Sequence, residues 1–155
     1  LIMVGDGPQR NHVLRTAWSG RAAVTLAGAV PHHEVPAHLA LCDAVAVPYA
    51  TEDVYFSPLK LVEAMAAARP VVASATGPVR RVVTDGRDGL LVPAGDRNAF
   101  FAALERLAFE PALRGRIGAE ARRTVEREYT WDSVIGRVLK FAAGLPARTE
   151  DSWRA

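Results

Sequence analysis

The sequence predicts a single α/β domain in which a parallel sheet carries helices on both faces. Short apolar runs at 1–4, 24–26, 44–47, 71–73 and 90–92 lack polar alternation, as strands covered on two sides do. Each run is followed by a helical pattern, which is the rhythm of βαβ units. The 155 residues are 50% hydrophobic, enough for one sizeable core and too few for two ordinary domains.

Leu1-Ile2-Met3-Val4 reads as the inside of a strand, so more chain is expected upstream. Gly5-Asp6-Gly7-Pro8 then opens a helix over 8–19. Gly5 and Gly7 permit close approach of the backbone to a ligand, and Pro8 suits a first helical turn. The same residues also suit a bare strand-to-helix turn. The third glycine of the dinucleotide fingerprint is absent, which counts against NAD.

The second strand, 24–26, leads to a helix over 34–41. His32, His33, Glu34 and His38 gather there, but His33 and His38 are five apart and Pro36 interrupts, so no metal site is expected. Cys42 stands among Ala40, Leu41 and Ala44 and reads as a buried small side chain. A lone cysteine excludes a disulfide framework within the chain and is compatible with a reducing compartment.

The third strand, 44–47, precedes a helix predicted over 58–68, entered through Ser57-Pro58-Leu59-Lys60-Leu61-Val62-Glu63. Ser57 is expected to cap it and Pro58 to take the first helical position, with the amides of Leu59, Lys60 and Leu61 pointing outward. Such an end attracts anions. Lys60 sits where the helix dipole disfavours a cation, a placement that a bound phosphate would justify. Glu63 is the only charge between Leu61 and Ala68. One turn beyond Lys60, its carboxylate can accept from both hydroxyls of a ribose. The competing reading is an ordinary ion pair between Lys60 and Glu63 on a solvated face. Tyr49 and Tyr55 flank the segment.

A strand at 71–73, a helix at 78–84, a strand at 90–92 and a helix at 97–109 capped by Asp96 follow. Phe100, Phe101, Leu104 and Leu107 recur at helical spacing and are expected to form a core stripe. Two successive helices, 112–128 and 131–143, close the pattern, the second capped by Thr130. The domain is taken as 1–145, with 146–155 a flexible tail.

Lys and Arg number 19 against 17 Asp and Glu, giving a net charge of +2 with no basic stripe, so nucleic acid is not an expected partner. No apolar run reaches the roughly 18–20 residues that span a bilayer, and no export signal is visible, so a cytoplasmic location is expected.

Five segments in order carry a family likeness: "VGDGP", "LAGAVPHHEVPAHLALCDAVAVPY", "SPLKLVEAMAAARPVVAS", "VVTDGRDGLLVPAGD" and "EYTWDSV". Together they resemble the C-terminal, donor-binding domain of a retaining GT-B glycosyltransferase of the group 1, or family 4-like, kind. The resemblance implies a Rossmann-like half of a GT-B fold with a helical C-terminal extension. It implies a hexosyltransferase that moves a sugar from a UDP- or GDP-sugar to a hydroxyl acceptor with retention, without metal or cofactor. Ser57, Pro58, Leu59, Lys60 and Leu61 would contact the diphosphate, Glu63 the ribose, Thr76 and Gly77 the phosphate or sugar, and Val30 and Pro31 the base. Gly5, Gly7 and Tyr55 would complete the donor site, and Trp131 would pack.

The sequence departs from that pattern in two places. A first glutamate is usual eight residues before Glu63, where Tyr55 stands, as in a similar "SPLK" subgroup that lacks it; Arg81 stands where glutamate is frequent. The family's N-terminal acceptor domain, and a first strand and helix bearing an arginine and a lysine, are not in this sequence. Catalytic residues are therefore unassigned, the 155 residues alone are expected to be inactive, and any membrane association at the cytoplasmic face falls to the absent half. The alternatives are a non-catalytic nucleotide-sugar binding module and a GT-B epimerase or phosphorylase. The last uses pyridoxal phosphate, for which no lysine context is visible.

Overall fold

The computed structural model describes residues 1–19, 23–53 and 57–144, the side chains of 17–19 excepted. Strand β1 (Ile2–Val4) leads through a turn to α1 (Arg10–Ser19), and β2 (Thr25–Gly28) to a 3-10 turn (His32–Glu34) and α2 (Val35–Ala40). Then come β3 (Val45–Val47), α3 (Leu59–Ala66), β4 (Val71–Ser74), α4 (Gly77–Arg80) and β5 (Leu90–Val92). Three helices end the chain: α5 (Arg97–Phe109), α6 (Pro111–Glu128) and α7 (Trp131–Ala143).

All strand pairings are parallel, as the apolar runs predict. The single sheet expected is instead two among the described residues: β1 pairs with β2, and β3, β4 and β5 lie side by side in that order. In the three-stranded sheet Val45 pairs with Val71 and Val72 with Leu90.

Every residue of β4 is buried, because helices cover both faces of that strand. Its side chains alternate. Val71 and Ala73 join Leu61, Ala64 and Met65 of α3, Val79 of α4, and Ala121 and Val125 of α6. Val72 faces the other way, with Leu90 and Val92 of β5, Ala103 and Leu107 of α5 and Ile117 of α6. Helix α6 thus serves both clusters, and it approaches α3 closely. A Cβ at Gly118 would lie 2.3 Å from the Ala68 carbonyl oxygen, so only glycine fits there.

Several boundaries differ from expectation for identifiable reasons. Helix α1 begins at Arg10, whose amide donates to Gly7, so Pro8 lies in the turn before it. The segment over 34–41 opens as a 3-10 turn before becoming helical. Helix α4 ends at Arg80, well short of residue 84. Beyond it the buried Asp88 holds the loop, accepting from the Thr84 amide at 2.7 Å and the Thr124 hydroxyl at 2.9 Å. The caps at Asp96 and Thr130 form as predicted, accepting from the amides of Ala99 and Ser133.

Three burial expectations fail. Cys42 is only half-buried, its thiol directed at the His38 carbonyl. Phe101 is 57% exposed, since it lies about 100° around the helix from Phe100 and outside the stripe that reaches Leu107. Trp131 is 80% exposed and does not pack: it starts α7, a helix half-buried only at Ser133 and Val134. The apolar side of α7, with Ile135, Val138, Leu139 and Phe141, faces outward. The predicted tail, 146–155, lies outside the described residues.

Candidate functional site

The candidate site forms at the carboxyl ends of β3 and β4, where loops leave a parallel sheet and ligands are commonly received. Helix α3 starts there, after the β3 loop. Its local chemistry differs from the expected cap: Pro58 occupies the cap position, Leu59 is the first helical residue, and no side chain caps the end. Ser57 is therefore one residue too early. The Pro58 carbonyl accepts from the amides of Leu61 at 2.9 Å and Val62 at 3.0 Å, so the Leu61 amide does not point outward as expected. Leu59 and Lys60 stand at the mouth of the helix and are exposed.

Lys60 reaches back over the loop that leaves β3, and its Nζ lies 5.2 Å from the centroid of the Tyr49 ring. One turn on, Glu63 is partly exposed, and its Oε1 lies 3.8 Å from Nδ1 of His32 in the 3-10 turn after β2. The Lys60 and Glu63 positions thus lie on one rim of α3, with the Val30–Pro31 approach to His32 opposite. Pro31 immediately precedes that turn and accepts from the Glu34 amide at 2.9 Å.

Thr76 and Gly77 lie just past β4. The Thr76 amide donates to the Ser74 carbonyl at 2.8 Å, and Gly77, exposed, is the first residue of α4, where a helical amide has no partner within the helix. The Thr76 side chain is fully buried, and its hydroxyl has no hydrogen-bond partner among the described residues. Arg81 is exposed at the far end of α4, where its carbonyl accepts from the Tyr129 hydroxyl at 3.0 Å.

Gly5 and Gly7 line a different feature, an open groove of about 320 Å³ at the turn between β1 and α1, shared with Met3, Pro8, Val13 and Leu26. Gly5 donates to the Gly28 carbonyl at 2.7 Å, tying that turn to the start of the Val30–Pro31 loop. The structure therefore brings Lys60, Glu63 and the turn after Val30 and Pro31 together, and ties the glycine turn to the end of β2. Tyr55 lies outside the described residues.

Two participants were not singled out from sequence for this site. His32 was weighed only as a metal ligand, and its position opposite Glu63 depends on pairing between β1 and β2 and on the turn that follows. Ser74 ends a uniformly apolar strand, and a small hydroxyl there gives no warning that it bonds to Tyr49. Among the described residues no group of three or more His, Cys, Asp or Glu side chains comes together to hold a metal.

A family model described as "Glycosyl transferases group 1" matches residues 1–109. The chain belongs to the glycosyl transferases group 1 family. This group 1 chain is 30% identical over 150 residues to a GDP-mannose-dependent α-(1-6)-phosphatidylinositol monomannoside mannosyltransferase of Mycobacterium tuberculosis. The match covers 93% of the chain and 39% of that relative, so the chain spans about two-fifths of its length. Among solved structures, the group 1 chain is similar to sucrose-phosphate synthase from Thermosynechococcus elongatus, with TM-score 0.77 and 28% identity over 93% of this chain and 39% of that one. It also shares the fold of Anabaena HepE in complex with UDP-glucose, with TM-score 0.79 and 20% identity over 93% and 40% of the two chains. The expected Rossmann-like half of a GT-B fold is thus what this group 1 sequence adopts.

Proposed function

We propose that this chain is the donor-binding domain of a retaining hexosyltransferase, one that transfers a sugar from a UDP- or GDP-sugar to a hydroxyl acceptor. The observation that carries the reading is the rim of α3, where Lys60 and Glu63 stand one turn apart at an open helix end. A diphosphate meets Lys60 and the outward amides, and the ribose hydroxyls meet Glu63. The base lies toward Val30 and Pro31, and the Gly77 amide is positioned for the sugar or the distal phosphate. A GDP-mannose-dependent relative and a UDP-glucose complex of the same fold support a nucleotide-sugar ligand.

The partner of this domain is an N-terminal acceptor-binding domain of the same protein, preceded in the donor half by a further strand and helix. Two features support that reading. Strand β1 is largely exposed although its sequence is continuously apolar, and β1 and β3 each pair on one side only among the described residues. The outward apolar side of α7 would be covered by the same partner. Transfer through an oxocarbenium-like state needs a positioned acceptor and a stabilised leaving diphosphate, so the 155 residues alone bind donor without efficient turnover. The enzyme works without metal or cofactor and resides in the cytoplasm. No helix among the described residues is long and apolar enough to cross a membrane.

Titration calorimetry of the chain with UDP and GDP tests the proposal. One of the two binds, and Lys60→Met weakens the diphosphate about tenfold while leaving the nucleoside unaffected. If neither nucleotide binds at millimolar concentration, the donor-domain reading is wrong.

A further inference from the structure

We propose that Tyr49 is a positioning residue for Lys60, holding its ammonium at the mouth of α3 before the diphosphate arrives. The inference rests on the donor-site reading and adds to it a residue that acts through the lysine. Tyr49 stands two residues beyond β3, and its backbone is fixed from two neighbouring segments. Its amide donates to Ser74 Oγ at 2.8 Å, and its carbonyl accepts from the same hydroxyl at 3.2 Å and from the Gly95 amide at 3.0 Å. Gly95 has φ +78° and passes so close that a Cβ would meet the Ala50 carbonyl oxygen at 2.8 Å, so only glycine lets that loop reach Tyr49. The side chain is half-buried against the cluster containing Leu61, Met65 and Val47, which fixes the ring as well.

Against this fixed ring, Lys60 Nζ sits 5.2 Å from the centroid. The contact answers two difficulties that a lysine meets at this position. The positive end of the helix dipole repels the ammonium, and the electron-rich ring face offsets that repulsion. A lysine stem has four rotatable carbons, and the ring face helps to hold this one near the helix mouth, so less ordering remains when an anion binds. Three structural features, the Ser74 hydroxyl, the absent side chain at Gly95 and the α3 cluster, converge on placing one aromatic face, and Lys60 is the group that lies over it.

The test is calorimetry of the chain with UDP or GDP, whichever binds, and with the matching nucleoside. Tyr49→Leu weakens the diphosphate about two- to fivefold, the size expected of a partly exposed cation–aromatic contact. It leaves nucleoside affinity unchanged, and Tyr49→Phe, which keeps the ring, retains wild-type affinity. In a Lys60→Met background, Tyr49→Leu causes no further loss. Tyr49→Met serves beside it as a second non-aromatic variant of similar length, with melting curves run on both. Additive effects of the Tyr49 and Lys60 substitutions, or wild-type diphosphate affinity in a folded non-aromatic variant, overturn the inference alone. Failure of the wild-type chain to bind either nucleotide overturns the donor-site reading together with it.

Discussion

Nδ1 of His32 lies 3.8 Å from Oε1 of Glu63, joining the turn after β2 to the rim of α3. The two residues are 31 apart in sequence, and the contact places the Glu63 carboxylate, proposed to take the ribose, beside the turn that follows the Val30–Pro31 loop. Both side chains are accessible, so the pair contributes little to stability and its consequence is geometric.

Glu63→Ala is expected to weaken binding of UDP or GDP about tenfold or more, since hydrogen bonds to a charged acceptor contribute about 1.5–3 kcal/mol each. The wild-type chain should discriminate against the 2′-deoxynucleotide, and the variant should not. Calorimetry with both nucleotides checks this, and equal discrimination by the two proteins would remove Glu63 from the ribose.

Ser74→Ala is expected to destabilise the fold by about 1–3 kcal/mol, because its hydroxyl bonds to both the amide and the carbonyl of Tyr49. Urea unfolding measures the change. A shift within error of wild type would show that solvent replaces the serine without cost.

Ala68 has φ 55° at the exit of α3, a left-handed conformation that costs a non-glycine residue about 1–2 kcal/mol. Ala68→Gly should therefore raise stability by up to about 1 kcal/mol, after allowing for the greater freedom of glycine in the unfolded chain. Gly118→Ala should lower it by about 1–3 kcal/mol, since the new methyl would overlap the Ala68 carbonyl. Opposite signs in paired melting curves are the expected outcome.

Tyr129 has its phenol pKa raised above the usual 10.0, chiefly by burial and then by the nearby Glu128 carboxylate. The folded state thus holds the proton more tightly than the unfolded chain. Stability from this group is fully present below pH 10 and is lost as pH rises through the raised value. Urea midpoints measured from pH 9 upward should fall less steeply in Tyr129→Phe; an identical slope would discount the tyrosine.

The sequence by itself determined the α/β class, the parallel strands, the span of α5 and α7, and the caps at Asp96 and Thr130, because each depends on local periodicity or on one side chain bonding within its own turn. It also marked Lys60 and Glu63, since charge in an apolar helix is visible without coordinates. What it placed wrongly was decided by neighbours. Ser57 gave way to Pro58 at the cap, where backbone carbonyl geometry fixed the first turn. Phe101 and Trp131 came out exposed because a helix buries only the side that another element covers, and periodicity does not say which side that is. Only the tertiary structure could set His32 against Glu63, or clamp Tyr49 between Ser74 and Gly95 beneath Lys60. Those contacts join residues far apart in the chain, and their geometry exists only after parallel strands have brought separate loops to one edge.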